Sequence, residues 1–127
     1  MTPQARAYLD KARSDLEEAA KIAAIGLAQV ATRSAYYAAF HAAQALIAER
    51  SGKVARTHSG VRAKFAEMAR SESQLDKTFS TFLAQAYKYK EIGDYGIGPA
   101  AAVKSADADD AIASARRFVE GIERLLE

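Results

Sequence analysis

The start of the chain carries apolar residues at the three- and four-residue spacing of an amphipathic helix. Thr2 and Pro3 are typical of a helix start, because Thr caps the first turn and Pro fits within it. Small and apolar residues then recur as far as Gly26, which we expect to end the helix or to mark the turn after it. The pattern predicts a first helix of about six turns.

The second segment, from Leu27 to Arg50, predicts a helix of a different kind. No Asp, Glu, Lys or Arg occurs between Ser34 and Ala48. Its uncharged side chains form two adjacent stripes, one of Tyr36, Phe40, Ala43 and Ile47 and one of Val30, Tyr37, Ala38, His41, Ala45 and Ala48. A helix that is apolar on more than one side is buried on more than one side. We therefore predict that this is the central helix of the fold.

Three further amphipathic segments follow, which we predict to be helices. The third helix buries Val61, Phe65 and Met68, and Ser71–Ser73 breaks the chain after it. The fourth begins at Leu75 and stops at Gly93, and Ser105 is predicted to cap the fifth. Five helices with short connections predict an all-α, up-and-down bundle of four to five helices that forms a single domain over residues 1–127.

Composition narrows the function classes. Alanine is the commonest residue and there are only two prolines, which favours helices and excludes an all-β fold. The absence of cysteine excludes disulfides and fits a reducing compartment, so we expect a cytoplasmic protein. No apolar stretch is long enough to predict a membrane-spanning helix. The net charge of +2 is too balanced to indicate a nucleic-acid-binding protein by itself.

Candidate chemistry is concentrated in the central helix. Arg33, Tyr37 and His41 are spaced i, i+4, i+8 and so share one slowly drifting face. They could line a polar groove, or they could make hydrogen bonds between helices within a partly buried core. His41 and His58 are the only histidines, and neither lies in a metal-binding motif. We expect no metal ion and no cofactor.

Two other segments have open interpretations. The stretch from Arg50 to Lys64 is basic and contains His58 but no acidic residue, so it could contact phosphate groups or could be a solvated surface. The glycine-rich run from Gly93 to Gly98 could approach an anion, but it is more typical of a helix end followed by a loop.

The segment from Arg33 to Ala43, with its run Arg-Ser-x-Tyr-Tyr-x-x-Phe-His, resembles the signature of HEPN-domain proteins, in particular the small stand-alone prokaryotic members. The resemblance extends over nearly the whole chain. It includes the opening Tyr8 to Leu16, the loop and third helix at Thr57 to Val61 with Phe65, and the triplet Asp94-Tyr95-Gly96.

The resemblance implies a bundle of four or five helices that is commonly a homodimer. Many such proteins are paired with a minimal nucleotidyltransferase in a two-component module, and several pairs act as toxin and antitoxin. The HEPN toxin is then a metal-independent ribonuclease with an Arg-x4-6-His motif, in which Arg holds the scissile phosphate and His transfers protons.

The chain departs from this ribonuclease pattern at Lys90–Tyr95. Lysine stands at the arginine position, and no histidine follows His58. Lysine lacks the bidentate fork of arginine, and Asp94 would repel a phosphate unless it is paired. We therefore predict an i, i+4 pair of Lys90 with Asp94 at the end of the helix.

The resemblance and this departure together predict a partner of a minimal nucleotidyltransferase-type protein, with a nucleotide or RNA as a further ligand. The candidate partner- or ligand-binding residues are Arg33, Tyr37, His41, His58, Lys90, Asp94 and Tyr95. The alternatives are a ribonuclease toxin with a divergent site and a helical dimerisation module without a ligand. Tyr95 is either an acceptor of nucleotidyl groups or a ring that packs onto the bundle.

Overall fold

The computed structural model describes residues 1–127 as five α-helices. They are α1 (Pro3–Ala24), α2 (Ala28–Ser51), α3 (His58–Ser71), α4 (Thr78–Tyr95) and α5 (Ser105–Leu126), with a 3₁₀ turn at Pro99–Ala101 between the last two. The prediction of an all-α bundle is confirmed.

The central position predicted for α2 is also confirmed. Of its 24 residues, 14 are buried, and α1, α3, α4 and α5 all pack against it. Alanines make up much of this buried surface, and they allow the neighbouring helices to approach closely. Val30 is an exception to the predicted stripe, because it lies in the first turn of α2 and is 44% exposed.

The helix ends follow the local signals with two exceptions. Thr2 caps α1 by accepting a hydrogen bond from the Ala5 backbone N–H at 3.1 Å, as predicted. The predicted stop of α4 at Gly93 is wrong, because the helix continues to Tyr95. It also begins at Thr78, three residues after the predicted start. Gly93 is retained inside the helix where a Cβ would lie 2.9 Å from the Gln29 side chain of α2.

The second exception is the start of α5, where the cap is Lys104 and Ser105 is already helical. The carboxylate of Asp107 accepts a hydrogen bond from the Lys104 backbone N–H at 3.0 Å. An acidic side chain in the first turn satisfies a free N–H and complements the helix dipole, so a serine cap is not needed.

One core cluster draws on all five helices, and its largest members include Tyr36, Phe65 and Phe118. Four phenylalanines, Phe65, Phe79, Phe82 and Phe118, meet where α3, α4 and α5 converge. No helix is long and apolar enough to cross a membrane.

Candidate functional site

The structure gathers four of the seven predicted site residues around the aromatic ring of a fifth, Tyr37. The rings of His41 and His58 lie 6.0 and 5.9 Å from the Tyr37 ring, measured between centroids. The Arg33 guanidinium and the Lys90 ammonium lie 5.7 and 5.9 Å from the same centroid. α2, the start of α3 and the end of α4 therefore bring these side chains together.

The charged part of the site is a network centred on the carboxylate of Asp94. Lys90 Nζ lies 3.0 Å from Asp94 Oδ2, and Arg33 Nε lies 3.6 Å from the same oxygen. Gln29 Nε2 donates to the other oxygen at 3.4 Å. The predicted pair of Lys90 and Asp94 is confirmed, and it is joined by two residues of α2.

Lys90 is buried, with 7% of its surface exposed. Burial works against its charged form, but the hydrogen bond to Asp94 and the neighbouring acidic groups outweigh it, so the pKa of Lys90 is raised. The ammonium is thus a fixed, neutralised part of the fold. It is not an open site for a phosphate group.

His58 has a different partner, the phenol of Tyr36. The Tyr36 hydroxyl lies 2.7 Å from His58 Nδ1, and Tyr36 is 1% exposed. Burial raises the pKa of Tyr36, so the phenol keeps its proton near neutral pH and shares a hydrogen bond with the ring nitrogen. Burial, followed by the positive charges of Lys90 and Arg62, lowers the pKa of His58. Near neutral pH the imidazole is therefore uncharged.

His41 is held by a carboxylate. Its Nδ1 lies 2.6 Å from Oδ2 of Asp15, a buried residue of α1, and Lys11 Nζ lies 3.9 Å from the other Asp15 oxygen. Ser34 donates a hydrogen bond to the backbone carbonyl of Asp15 at 3.1 Å. These contacts join α1 to α2, which is the interhelical hydrogen bonding left open by the sequence.

The basic stretch from Arg50 to Lys64 is partly neutralised at the surface. Arg50 pairs with Glu72 at 3.4 Å and Lys64 with Glu67 at 3.4 Å. Arg62 instead turns inward and stacks over the Tyr87 ring, with 3.9 Å from guanidinium carbon to ring centroid. Its Nη1 atom is buried and has no hydrogen-bond partner.

The sequence did not single out Asp15, Gln29, Tyr36 or Tyr87 for this site, and it placed Arg62 only within the basic stretch. The one available signal was the i, i+4 spacing of His58 and Arg62, which places both on the same face of α3. The hydrophobic pattern assigns Tyr36 to the core only. No group of three or more His, Cys, Asp or Glu side chains is arranged to hold a metal ion.

Tyr95 stands apart from the cluster and is 76% exposed, so the expectation that its ring packs onto the bundle is wrong. Tyr95 is one of the exposed apolar side chains of two segments, the α1–α2 turn and the end of α4 with the residues after it. We call these two segments the apolar end: Ile25, Leu27, Val30, Ile92, Tyr95 and Ile97. The Asp94 network lies between its two halves, because Asp94 bonds to Gln29 and Arg33.

Comparisons with known proteins identify the family and the fold. The chain is 28% identical over 120 residues to UPF0332 protein glr0978 of Gloeobacter violaceus. The aligned region covers 94% of each chain. The crystal structure of TT1696 from Thermus thermophilus has a TM-score of 0.73 at 24% identity, over 97% of this chain and 98% of the other, and so has the same fold. The sequence model of the HEPN domain matches residues 5–125. This protein belongs to the HEPN-domain family.

Proposed function

We propose that the protein acts by binding a minimal nucleotidyltransferase-type protein, as the HEPN component of a cytoplasmic two-component module of the toxin–antitoxin type. The observation that carries this proposal is the apolar end, where exposed apolar side chains lie beside Lys90, which is buried and paired with Asp94 within the chain. Family membership supports the type of partner.

The apolar end has the composition of a protein-binding surface. Exposed apolar patches rimmed by polar groups mark sites of protein association, and the cores of interfaces are poor in unpaired charge and rich in aromatic residues. Tyr95 and Ile92 supply the apolar contact area here. Asp94 and Lys90 are internally paired and add no uncompensated charge.

The same surface is poorly suited to holding a scissile phosphate. Lys90 is buried and bound to Asp94, and Arg33 shares that carboxylate. An RNA phosphate would have to displace Asp94 to reach Lys90, which leaves the half-exposed Arg33 as the accessible cation of the network. These contacts favour a protein partner over RNA at this end of the molecule.

The test is co-purification of the chain with a minimal nucleotidyltransferase encoded beside it. We expect a stable complex that Ile92→Arg weakens by about tenfold or more, because a charge would enter the interface core. Ala84→Arg is the matched control, since it places the same charge on an exposed position of α4 away from the apolar end. Equal binding by both variants would show that the partner docks elsewhere.

The expected homodimer is tested on the same variants. Analytical ultracentrifugation of the isolated chain should give a dimer that survives Ile92→Arg, which leaves the apolar end free for the nucleotidyltransferase. If Ile92→Arg instead produces a monomer, the apolar end is the contact between two copies, and the partner proposal loses its surface.

A metal-independent ribonuclease with a divergent site is the second candidate, and one observation favours it. His58 is uncharged near neutral pH and Arg62, with an unpartnered nitrogen, influences it from the same helix. In the tautomer with Nδ1–H bonded to the Tyr36 oxygen, His58 Nε2 could take the proton of a ribose 2′-OH, and the neighbouring Arg62 could hold the phosphate. This candidate predicts RNA cleavage in EDTA that is lost in His58→Ala and Arg62→Ala. Absence of cleavage by the purified protein would exclude it.

Two finer proposals concern nucleotides. A bound mono- or trinucleotide should raise the thermal unfolding temperature at millimolar concentration, and no shift would count against nucleotide binding.

The exposed hydroxyl of Tyr95 suits an acceptor whose oxygen attacks the α-phosphate of a nucleoside triphosphate and releases pyrophosphate. Mass spectrometry after co-expression with the nucleotidyltransferase should find Tyr95 modified, and an unmodified Tyr95 would contradict this role.

A further inference from the structure

A concave site lies between α2, α4 and α5, apart from the apolar end. It is a cavity of about 230 Å³ with aromatic walls formed by Tyr36, Phe82 and Tyr89. Ala86 of α4 and Ala111 of α5 also line it, and their small side chains leave room between the two helices. The volume is below that of typical drug-sized pockets, so the cavity suits a compact ligand.

One buried polar group lines this cavity without a partner. Thr32 of α2 is 6% exposed, and its hydroxyl makes no hydrogen bond. A threonine inside a helix ordinarily bonds to the carbonyl one turn earlier, which would be that of Ala28. A buried hydroxyl without a partner costs free energy, and a ligand in the cavity could restore the missing bond.

The charged residues of the cavity have a single sign. Asp107 and Asp110, one turn apart on α5, both line it, and no Lys or Arg side chain does. Neither carboxylate forms an ion pair within the chain. Asp107 accepts only a backbone N–H, from Lys104. The cavity therefore offers two unneutralised carboxylates beside aromatic rings.

We propose that this cavity binds a small organic cation, a protonated amine carried on a compact aliphatic or aromatic body. The ammonium group would pair with Asp107 and Asp110, and the aromatic walls favour a cation and its apolar body. A second polar group on the ligand would bond to the Thr32 hydroxyl. The two carboxylates exclude phosphate-bearing ligands, so this site is distinct from any nucleotide site and does not depend on the proposed function.

Tyr36 connects the cavity to His58. Its ring forms part of the cavity wall, while its hydroxyl is hydrogen-bonded to His58 Nδ1. A ligand that contacts the ring should therefore change the environment of His58. This gives a spectroscopic readout of occupancy inside the folded protein that surface adsorption of an amine would not produce.

The test uses four amines as probes, which are tyramine, phenethylamine, benzylamine and agmatine, with 2-phenylethanol and phenylacetate as neutral and anionic analogues. We expect at least one amine to bind at millimolar concentration or below, in calorimetry and by a shift of the His58 imidazole NMR signals. The neutral and anionic analogues should bind about tenfold more weakly or not at all.

Substitutions distinguish binding in the cavity from non-specific attraction of an amine to acidic side chains. Asp110→Asn and Thr32→Val should each weaken amine binding, by about tenfold for Asp110→Asn. Asp109→Asn is the matched control, because Asp109 is exposed on the same turn of α5 and lies outside the cavity lining. Ala86→Leu fills the space and should abolish binding even if another variant fails to fold.

Three outcomes would overturn the proposal. They are the absence of binding by all four amines, equal binding of the neutral analogue, and equal losses for Asp109→Asn and Asp110→Asn. Failure of this experiment would leave the nucleotidyltransferase proposal intact, because that proposal depends on the apolar end only.

Discussion

The two faces of α2 that meet α1 and α4 differ in how they are packed and in what they can do. Towards α1, alanines with no exposed surface, such as Ala12, Ala38 and Ala45, let the two helices approach along their length. On the other side, α4 buries only three of its 18 residues, and one of these is Lys90. Half-buried aromatic side chains, among them Phe82 and Tyr87, separate α4 from its neighbours.

The difference shows where this bundle has room for function. Close contact between alanines excludes ligands and leaves little tolerance for change, because protein interiors are packed as densely as crystals. Large aromatic side chains on α4 leave the 230 Å³ cavity next to α5 and bring charged groups under the surface. Both proposed binding surfaces accordingly involve α4.

The largest effect is expected when a larger side chain is placed in the tightly packed contact between α1 and α2. Ala38 lies between Ser34 and His41, which both bond to Asp15 of α1, so it faces that helix. Ala38→Leu should lower the free energy of unfolding by about 1–3 kcal/mol, because the close approach leaves no space for a larger side chain. Urea denaturation measures this loss, and an unchanged midpoint would contradict the account of tight packing.

The next effect concerns the polar link on the same face. Asp15→Ala removes the buried carboxylate that bonds to His41 and should destabilise the fold by about 1–3 kcal/mol, since a partly buried imidazole nitrogen loses its partner. Lys11→Ala is the control, because Lys11 is exposed and 3.9 Å from Asp15. A similar loss in both variants would indicate a general helix effect in place of the specific bond.

His58 should give the α3–α4 side its own pH dependence. Its pKa in the folded state is below the ordinary 6.5. The unfolded chain therefore binds more protons in the window between these two values. The contribution of uncharged His58 to the free energy of unfolding is therefore fully present above about pH 6.5. It declines as the pH falls through the folded pKa. His58→Gln can still accept the Tyr36 hydroxyl but does not titrate. The difference in urea stability between wild type and His58→Gln should fall towards pH 5, and a constant difference would contradict the assignment.

The smallest effect is expected in the cavity. Ala86→Leu adds the same side chain as Ala38→Leu, but it projects into existing space, so the free energy of unfolding should change by less than about 1 kcal/mol. Comparing the two alanine-to-leucine variants by urea denaturation tests the contrast between the faces within one pair of proteins. Equal destabilisation would mean that the cavity cannot accommodate added atoms.

The sequence was sufficient for the helices and for local pairs, because both depend on spacing along the chain. The central helix was predicted from its long stretch without charged residues. The pair of Lys90 with Asp94 was predicted from the i, i+4 spacing. The stop expected at Gly93 was wrong because glycine there serves close packing against Gln29 and not helix termination. Propensity alone cannot distinguish the two uses.

The partners of the two histidines could not be predicted from sequence. Asp15 is 26 positions from His41, and Tyr36 is 22 positions from His58, so both bonds depend on the packing of separate helices. The unpartnered hydroxyl of Thr32 is likewise a property of the folded chain. The exposure of Tyr95 also emerged only there, because nothing in the local pattern distinguishes a packed tyrosine from a free one at a helix end.

Burial of the ammonium group at the end of α4 makes it a chemical reporter. The other lysines are all at least partly exposed, so an acylating reagent should label them rapidly while Lys90 stays protected. Its rate of labelling, followed by peptide mass spectrometry, measures how often the last turns of α4 open. A partner that clamps the apolar end would slow this labelling without touching the lysine itself.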